Sequence, residues 1–377
     1  MLASLKTPSL PQSGRLHRVN RGAEPLGSIG MGPILIFTDL NHELGPQPPD
    51  QAPDVKSGLA AYAEFGFRAE YVNHFGLPWN PLARRHAIWR AIDPARAAWA
   101  MVARRDAAAA ISFAESGALA LIALRWLHRI PVVVMHDSDH QDWRPRKAIQ
   151  DFVLPRADQV LVQTHAQARY LTERYRLRRP PAYAGPRIDE AFFRPITEGP
   201  GDYVFAIGND AARDFPLLVR AASTLDLPLR VLTRMPLPID GTERCRIEVI
   251  DRRVSYREMR DLYAGARLVA LPLRERISPG GMTSLLEAMA MGKPSVITAS
   301  SGVVEIADPG RTAMVVPVGD VAGFRDALAT LWNDPARCMA MGRAARDRIE
   351  QDYSTRLRAA RVAEAVRGLA SGKGRPP

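Results

Sequence analysis

From Ile34 onward the chain alternates short apolar, β-branched runs with segments whose apolar positions return every three or four residues. The first pattern fits strands buried on both faces, and the second fits helices lying over them. In the first half, Ile34–Thr38, Ala109–Phe113, Pro131–Met135 and Gln159–Gln163 read as strands. Leu59–Phe65, Leu119–His128, Ile149–Pro155 and Ala166–Tyr175 read as helices. After the proline- and glycine-containing stretches Arg178–Pro181 and Pro195–Gly201 the rhythm restarts. Strands are predicted at Tyr203–Ile207, Leu229–Thr233, Ile247–Ile250, Leu268–Leu273, Ser295–Thr298 and Ala313–Pro317. Helices are predicted at Phe215–Ser223, Tyr256–Ala264, Thr283–Met291, Val321–Trp332 and Thr355–Leu369. Regular alternation of this kind implies parallel βαβ units. The predicted fold class is therefore α/β, two doubly wound parallel-sheet halves facing across a cleft, with ligands at the carboxyl ends of strands.

A length of 377 residues agrees with two domains. The expected division is 31–192, a linker at 193–201, and 202–352, with a terminal helix at 353–370. Residues 1–30 and 371–377 are expected to be disordered tails, and Met31 is an alternative start. The first thirty residues carry scattered proline and glycine and lack the apolar segment of a signal peptide. Ala107–Leu127 is apolar enough to raise a membrane span, but Glu115, Gly117 and Arg125 interrupt it, so a strand followed by a helix is expected. With only Cys245 and Cys338, no disulfide framework is expected, and cytoplasmic residence is the natural reading.

The formal charge of +11 is distributed, with +3 in residues 1–30, +3 in 31–190 and +5 in 191–377. No aromatic–basic repeats accompany it, so nucleic acid is not an expected partner. One concentration, nine bases from Arg144 to Arg179 against Asp151, Asp158 and Glu173, suits peripheral contact with an anionic membrane, steering of a phosphorylated ligand, or an ordinary solvated face.

The stretch Ser278–Pro294 carries the candidate chemistry. Gly280 and Gly281 allow a tight turn and a close backbone approach, and the following helix start offers free N–H groups to a diphosphate. Met282 and Thr283 lie at that start, and Glu287 is placed to accept ribose hydroxyls one turn further on. The plainer alternative is an ordinary turn, a Thr283 cap and a solvent-facing Glu287. No G-x-G-x-x-G follows a strand, and Lys293 lacks the upstream glycine of a phosphate loop.

This stretch resembles the donor-site loop and helix of the retaining GT-B enzymes of glycosyltransferase family 4, matching closely over Leu285–Pro294. Gly302–Glu305, Asp334–Pro335, Met341–Arg346 and Tyr353 continue the resemblance, as do Pro131–His136, Arg156–Asp158 and Arg187–Asp189 in the first half. The resemblance implies a GT-B architecture of two Rossmann-like domains. The first binds the acceptor, the second binds the nucleotide sugar, and the last helix crosses back to the first. It implies a phosphate clamp from Gly208, Asn209 and Arg213, sugar contact by His136, and a loop-ordering role for Glu305. The implied reaction moves a hexose from a nucleotide-diphosphate donor to a glycan, lipid or small-molecule hydroxyl, with configuration retained. It implies no additional cofactor.

The family's first glutamate falls on Pro279 here, and Glu275 is nearby but out of register. A catalytically silent binding subunit and a GT-B sugar-nucleotide epimerase therefore remain alternatives. Asp137, Asp139, His140 and Asp142 form an acidic cluster next to His136, but a parallel two-domain fold handles phosphate charge with helix ends and cations, so no metal is expected.

Overall fold

The computed structural model describes residues 32–37, 53, 58–72, 94–136, 144–196, 199, 201–277 and 280–371. The expected N-terminal tail, residues 372–377, Asp137–Asp142, Pro279, and nearly all of the loops at 41–57 and 73–90 lie outside them.

Two all-parallel, six-stranded sheets form the molecule. The first contains β1 (Ile34–Phe37), β2 (Ala69–Tyr71), β3 (Ala109–Ser112), β4 (Val132–Met135), β5 (Gln159–Val162) and β6 (Ala182–Tyr183), in the order β2-β1-β3-β4-β5-β6. The second contains β7 (Tyr203–Ile207), β8 (Pro228–Leu232), β9 (Arg246–Ile250), β10 (Ala266–Leu271), β11 (Ser295–Thr298) and β12 (Ala313–Val316), in the order β12-β11-β10-β7-β8-β9. The winding direction reverses between β1 and β3 in one sheet and between β7 and β10 in the other. Strand-to-helix loops diverge at such points and leave a crevice at the carboxyl edge.

The helices are α1 (Pro94–Ala103), α2 (Glu115–Ala123), α3 (Arg144–Val153), α4 (His165–Arg174), α5 (Phe215–Ala222), α6 (Tyr256–Gly265), α7 (Met282–Ala290), α8 (Val321–Asn333), α9 (Pro335–Asp352) and α10 (Thr355–Ala370). Most start where a side chain satisfies a free backbone donor. Asp214, Ser255, Asp320, Asp334 and Ser354 each accept the N–H three residues on. Thr164 and Gln167 form a reciprocal capping box on α4. The exception that matters for function is α7, whose cap is Gly281 and carries no side-chain acceptor.

Where the expected elements differ, the causes are local. Leu59–Phe65 winds as a 3-10 helix between Gly58 and Gly66. The helices expected at Leu119 and Ile149 start earlier, at Glu115 and Arg144, because their first turns are polar or small and escape an apolar-periodicity criterion. Strands β2 and β6 are short and half-buried, too brief to show a pattern. The Ala107–Leu127 segment divides into β3, α2 and the 3-10 turn Arg125–Leu127, and no helix of the described residues is long and apolar enough to cross a membrane.

Each sheet is covered on both faces. In the first, Leu35, Ala110, Val132 and Val134 face α1, α2 and α3. Ile34, Ile36, Ile111 and Met135 face Ala359, Val362, Ala363 and Val366 of α10. The final helix thus completes the first core. Ile188, Phe192 and Phe193 already pack in the second core, and Arg346 Nη1 donates to the carbonyls of Glu190, Phe193 and Ala290. Ala363 is fully buried, and an aspartate there would place an unpaired charge against the sheet. Ala363→Asp is expected to lower stability by more than about 3 kcal/mol, read as a fall in Tm of several degrees. An unchanged Tm would show that α10 does not seat on the first sheet.

Candidate functional site

The site assembles where the second sheet reverses direction. The segment after β7 is pinned to the segment after β10 by backbone bonds. Arg213 and Leu273 pair as an antiparallel bridge, Asp214 N donates to Pro272 O, and Arg274 N donates to Ala212 O. This fixes Arg213 beneath the turn that leads into α7.

Arg213 is 3% exposed. Its Nε donates to Ile207 O at 2.8 Å and its Nη2 donates to Ser284 Oγ at 2.9 Å. Its Nη1 is buried with no partner among the described residues. Among the described residues the nearest carboxylate oxygen, Asp210 Oδ2, lies 3.7 Å from Nη2. Burial lowers the pKa of the guanidinium, with Asp210 opposing that shift.

Two glycines make room for this side chain. A Cβ on Gly208 would fall 1.9 Å from Arg213 Nε. A Cβ on Gly281 would fall 2.5 Å from Arg213 Nη1 and 2.7 Å from Leu273 Cδ2, and Gly281 also holds φ +90. Gly280 packs directly on Ala212. A cation and the positive end of a helix therefore stand together with no side chain capping the helix. That is an electrostatic arrangement completed by an anion.

Deeper on α7, Glu287 is buried rather than solvent-facing, and its Oε2 accepts from Tyr263 Oη at 2.7 Å. Desolvation pushes its carboxyl pKa up to about 7, against the opposing influences of Tyr263 and Arg213. Ser284, one turn earlier on the same helix face, holds Arg213, so the arginine and the glutamate share one wall. Thr283 is exposed and caps nothing, and Met282 is buried. Asn209 is exposed, and its Oδ1 accepts from Arg234 N at 2.6 Å, so it braces the turn after β8. Lys293 is committed to Ala264 O at 2.7 Å, and burial lowers its pKa to about 8.

The structure thus brings together Gly208, Arg213, Gly280, Gly281, Met282 and Glu287, with Thr283 at the same helix end. His136 belongs to a second group, on the carboxyl edge of the first sheet. It is 1% exposed, and its Nδ1 lies 2.7 Å from Glu115 Oε1. Gln150 Nε2 is 3.4 Å from both. Glu115, Ser284 and Tyr263 were not singled out from the sequence as functional. Their only signals were polar residues at helix starts and an aromatic in an amphipathic helix, features shared with most helices.

The two edges face each other through Glu305. Expected to order a neighbouring loop, it does so across the domains: its Oε1 accepts from His165 N at 2.7 Å and its Oε2 from Ala166 N at 3.3 Å, capping α4 of the opposite domain. Glu275 is turned to Ser301 N, 3.2 Å from Oε1. Among the described residues no group of three or more His, Cys, Asp or Glu is placed to hold a metal.

Two doubly wound sheets with opposed carboxyl edges and an anion-ready helix end define a GT-B protein. Solved structures agree on the fold. Sucrose-phosphate synthase from Thermosynechococcus elongatus superposes with a TM-score of 0.67 at 15% identity, covering 90% of this chain and 100% of that one. HepE of Anabaena in complex with UDP gives 0.64 at 12% identity, covering 89% and 100%. Residues 212–334 match the family described as Glycosyl transferases group 1, and the fold of the chain is GT-B. Among curated relatives, a GDP-mannose-dependent monoacylated alpha-(1-6)-phosphatidylinositol monomannoside mannosyltransferase of Corynebacterium glutamicum is 33% identical over 114 residues, covering 29% of this chain and 30% of that one. A D-inositol 3-phosphate glycosyltransferase of Corynebacterium urealyticum is 26% identical over 285 residues, covering 65% and 66%. The chain matches only about a third of the length of the first relatives, 30% and 37%.

Two outcomes test this geometry. Glu287 has a folded-state pKa above its unfolded value of 4.5, so its protonated form favours the fold and stability falls as pH rises through about 7. Glu287→Gln is expected to remove that loss, which is on the order of 3 kcal/mol. Urea melts at pH 5 and pH 8 compare the two proteins, and equal pH slopes would refute the burial. Gly281→Ala is expected to destabilise by about 1–3 kcal/mol. Gly310→Ala, at φ +80 in open space, is the matched control with the backbone strain alone and should be milder.

Proposed function

We propose that this protein is a retaining glycosyltransferase that moves a hexose from a nucleotide-diphosphate sugar to a hydroxyl acceptor. The observation that carries this is Arg213, buried with Nη1 unpartnered against an α7 amino terminus that no side chain caps. A diphosphate supplies both missing interactions at once. The group 1 match over this half, and the UDP and UDP-glucose named with the HepE structures, support a nucleotide-sugar donor.

In this reading Arg213 and the free N–H groups at Gly281–Thr283 hold the diphosphate and stabilise its charge as the glycosidic bond breaks. Glu287, its Oε2 fixed by Tyr263, holds the ribose hydroxyls. Glu115 Oε1 accepts a hydrogen bond from Nδ1–H of His136, which leaves Nε2 to accept one from a hydroxyl of the transferred sugar. No side chain acts as nucleophile. The leaving diphosphate assists the incoming hydroxyl from the same face, which retains configuration, and the protein positions the two reactants. No cofactor beyond the donor is needed, and the acceptor sits against the first domain.

A thermal-shift panel of UDP, GDP and ADP, and of their sugar conjugates, identifies the donor. A ligand at about 100 times its Kd adds about 2.7 kcal/mol of stability. Arg213→Ala is expected to abolish the shift, and Arg213→Ala and Glu287→Ala to lower nucleoside-diphosphate release by about 10²–10³-fold. If no nucleotide raises Tm, the reading fails. If a nucleotide binds but no acceptor or water ever releases it, the protein is a binding subunit. The anomeric configuration of the product, read by NMR, decides retention.

A further inference from the structure

In a parallel sheet every connection that enters a strand lies on the amino edge, opposite the cleft. For the neighbouring strands β3, β4, β5 and β6 these connections are 104–108, 125–131, 154–158 and 175–181. Their adjacency is confirmed by Asp158, which Arg125 Nη2 approaches at 2.5 Å and Arg178 Nη1 at 3.5 Å. The four segments contain eight arginines against two aspartates, Asp106 and Asp158. Asp158 is largely withdrawn, since its Oδ2 accepts from Val132 N at 2.7 Å. Arg105, Arg129, Arg156, Arg176 and Arg178 are exposed.

The same edge carries apolar side chains that the described residues leave exposed. Trp126 is 79% exposed and Leu127 53%, both in the 3-10 turn before β4. Val102, at the adjacent end of α1, is 71% exposed. Phe152, at the matching end of α3, is 37% exposed and lies beneath the Arg156 guanidinium at 4.4 Å. An exposed tryptophan and leucine on an arginine-rich edge is the composition of a surface that settles at the headgroup level of a bilayer.

We propose that this amino edge of the first sheet docks on an anionic lipid surface. Charge selects the occupant. A second copy meeting this patch through a two-fold axis would set Arg105, Arg129, Arg156 and Arg176 against the same four arginines, whereas anionic headgroups neutralise them while Trp126 and Leu127 enter the interface. The proposal is independent of the reaction in the cleft.

The test is co-sedimentation of the full chain with phosphatidylcholine vesicles and with phosphatidylcholine–phosphatidylglycerol vesicles, at low and high salt. Binding is expected to be at least about tenfold stronger to the anionic vesicles and to weaken with salt. The double variant Trp126→Ser, Leu127→Ser and the triple variant Arg156→Gln, Arg176→Gln, Arg178→Gln are each expected to reduce it at least about tenfold. Both alter only exposed side chains, so an unchanged Tm accompanies the loss. Equal binding to both vesicle types, no binding to either, or variants that bind like wild type would overturn the proposal. A wild-type dimer in sedimentation velocity that Trp126→Ser dissolves would also overturn it, by assigning the face to a second copy.

Discussion

A buried arginine seldom lacks a hydrogen-bonded carboxylate, and this one also sits beside the positive end of a helix. Arg213 is held in that place by geometry. Its Nε is tied to Ile207 O, its Nη2 to Ser284 Oγ, and the backbone around it is laced to the end of β10. Two missing side chains, at Gly208 and Gly281, give it room. The uncapped start of α7 and the burial of Glu287 follow the same plan, because the helix must approach Arg213 end-on with its polar face turned to Tyr263. Two like electrostatic features, a buried guanidinium and the positive end of a helix, thus stand side by side.

Much of this was legible in the chain itself, for identifiable reasons. Strands such as Tyr203–Ile207 and Ser295–Thr298 are buried on both faces, so their apolar runs carry unambiguous signals, and their bounds agree with the expected ones. The glycines at 280–281 mark the loop because only glycine tolerates that approach. Less legible was everything set by tertiary contact. Ser284 and Tyr263 became site residues only when α6 and α7 were packed together. Glu115 was visible as a charge inside an apolar stretch, and its partnership with His136 required β3 and β4 to be neighbours. Asn209 and Thr283, plausible by position, turn out to brace a turn and to face solvent. Position along a loop does not determine side-chain direction.

The link between the domains is also a tertiary fact. Glu305 leaves one domain and satisfies two N–H groups at the start of α4 in the other, beside His165, which stacks on Tyr183 at 4.3 Å. Its own carbonyl is held by Arg348. Because the segment before it is tied to Glu275 and Arg276, on the approach to the glycine turn, the spacing of the two domains and the shape of that turn are mechanically connected.

The seat of α10 carries a consequence for how the polypeptide matures. Ala359, Val362, Ala363 and Val366 fill one face of a sheet whose first strand begins at Ile34. As the chain emerges from the ribosome, the second sheet has all its strands by Val316, while one face of the first is covered only in part, by Tyr62 and Phe67, until α10 is made. Order of synthesis and order of completion are therefore inverted. A chain shortened by a few turns at its carboxyl end would damage the domain at its amino end, leaving the second domain the better formed of the two.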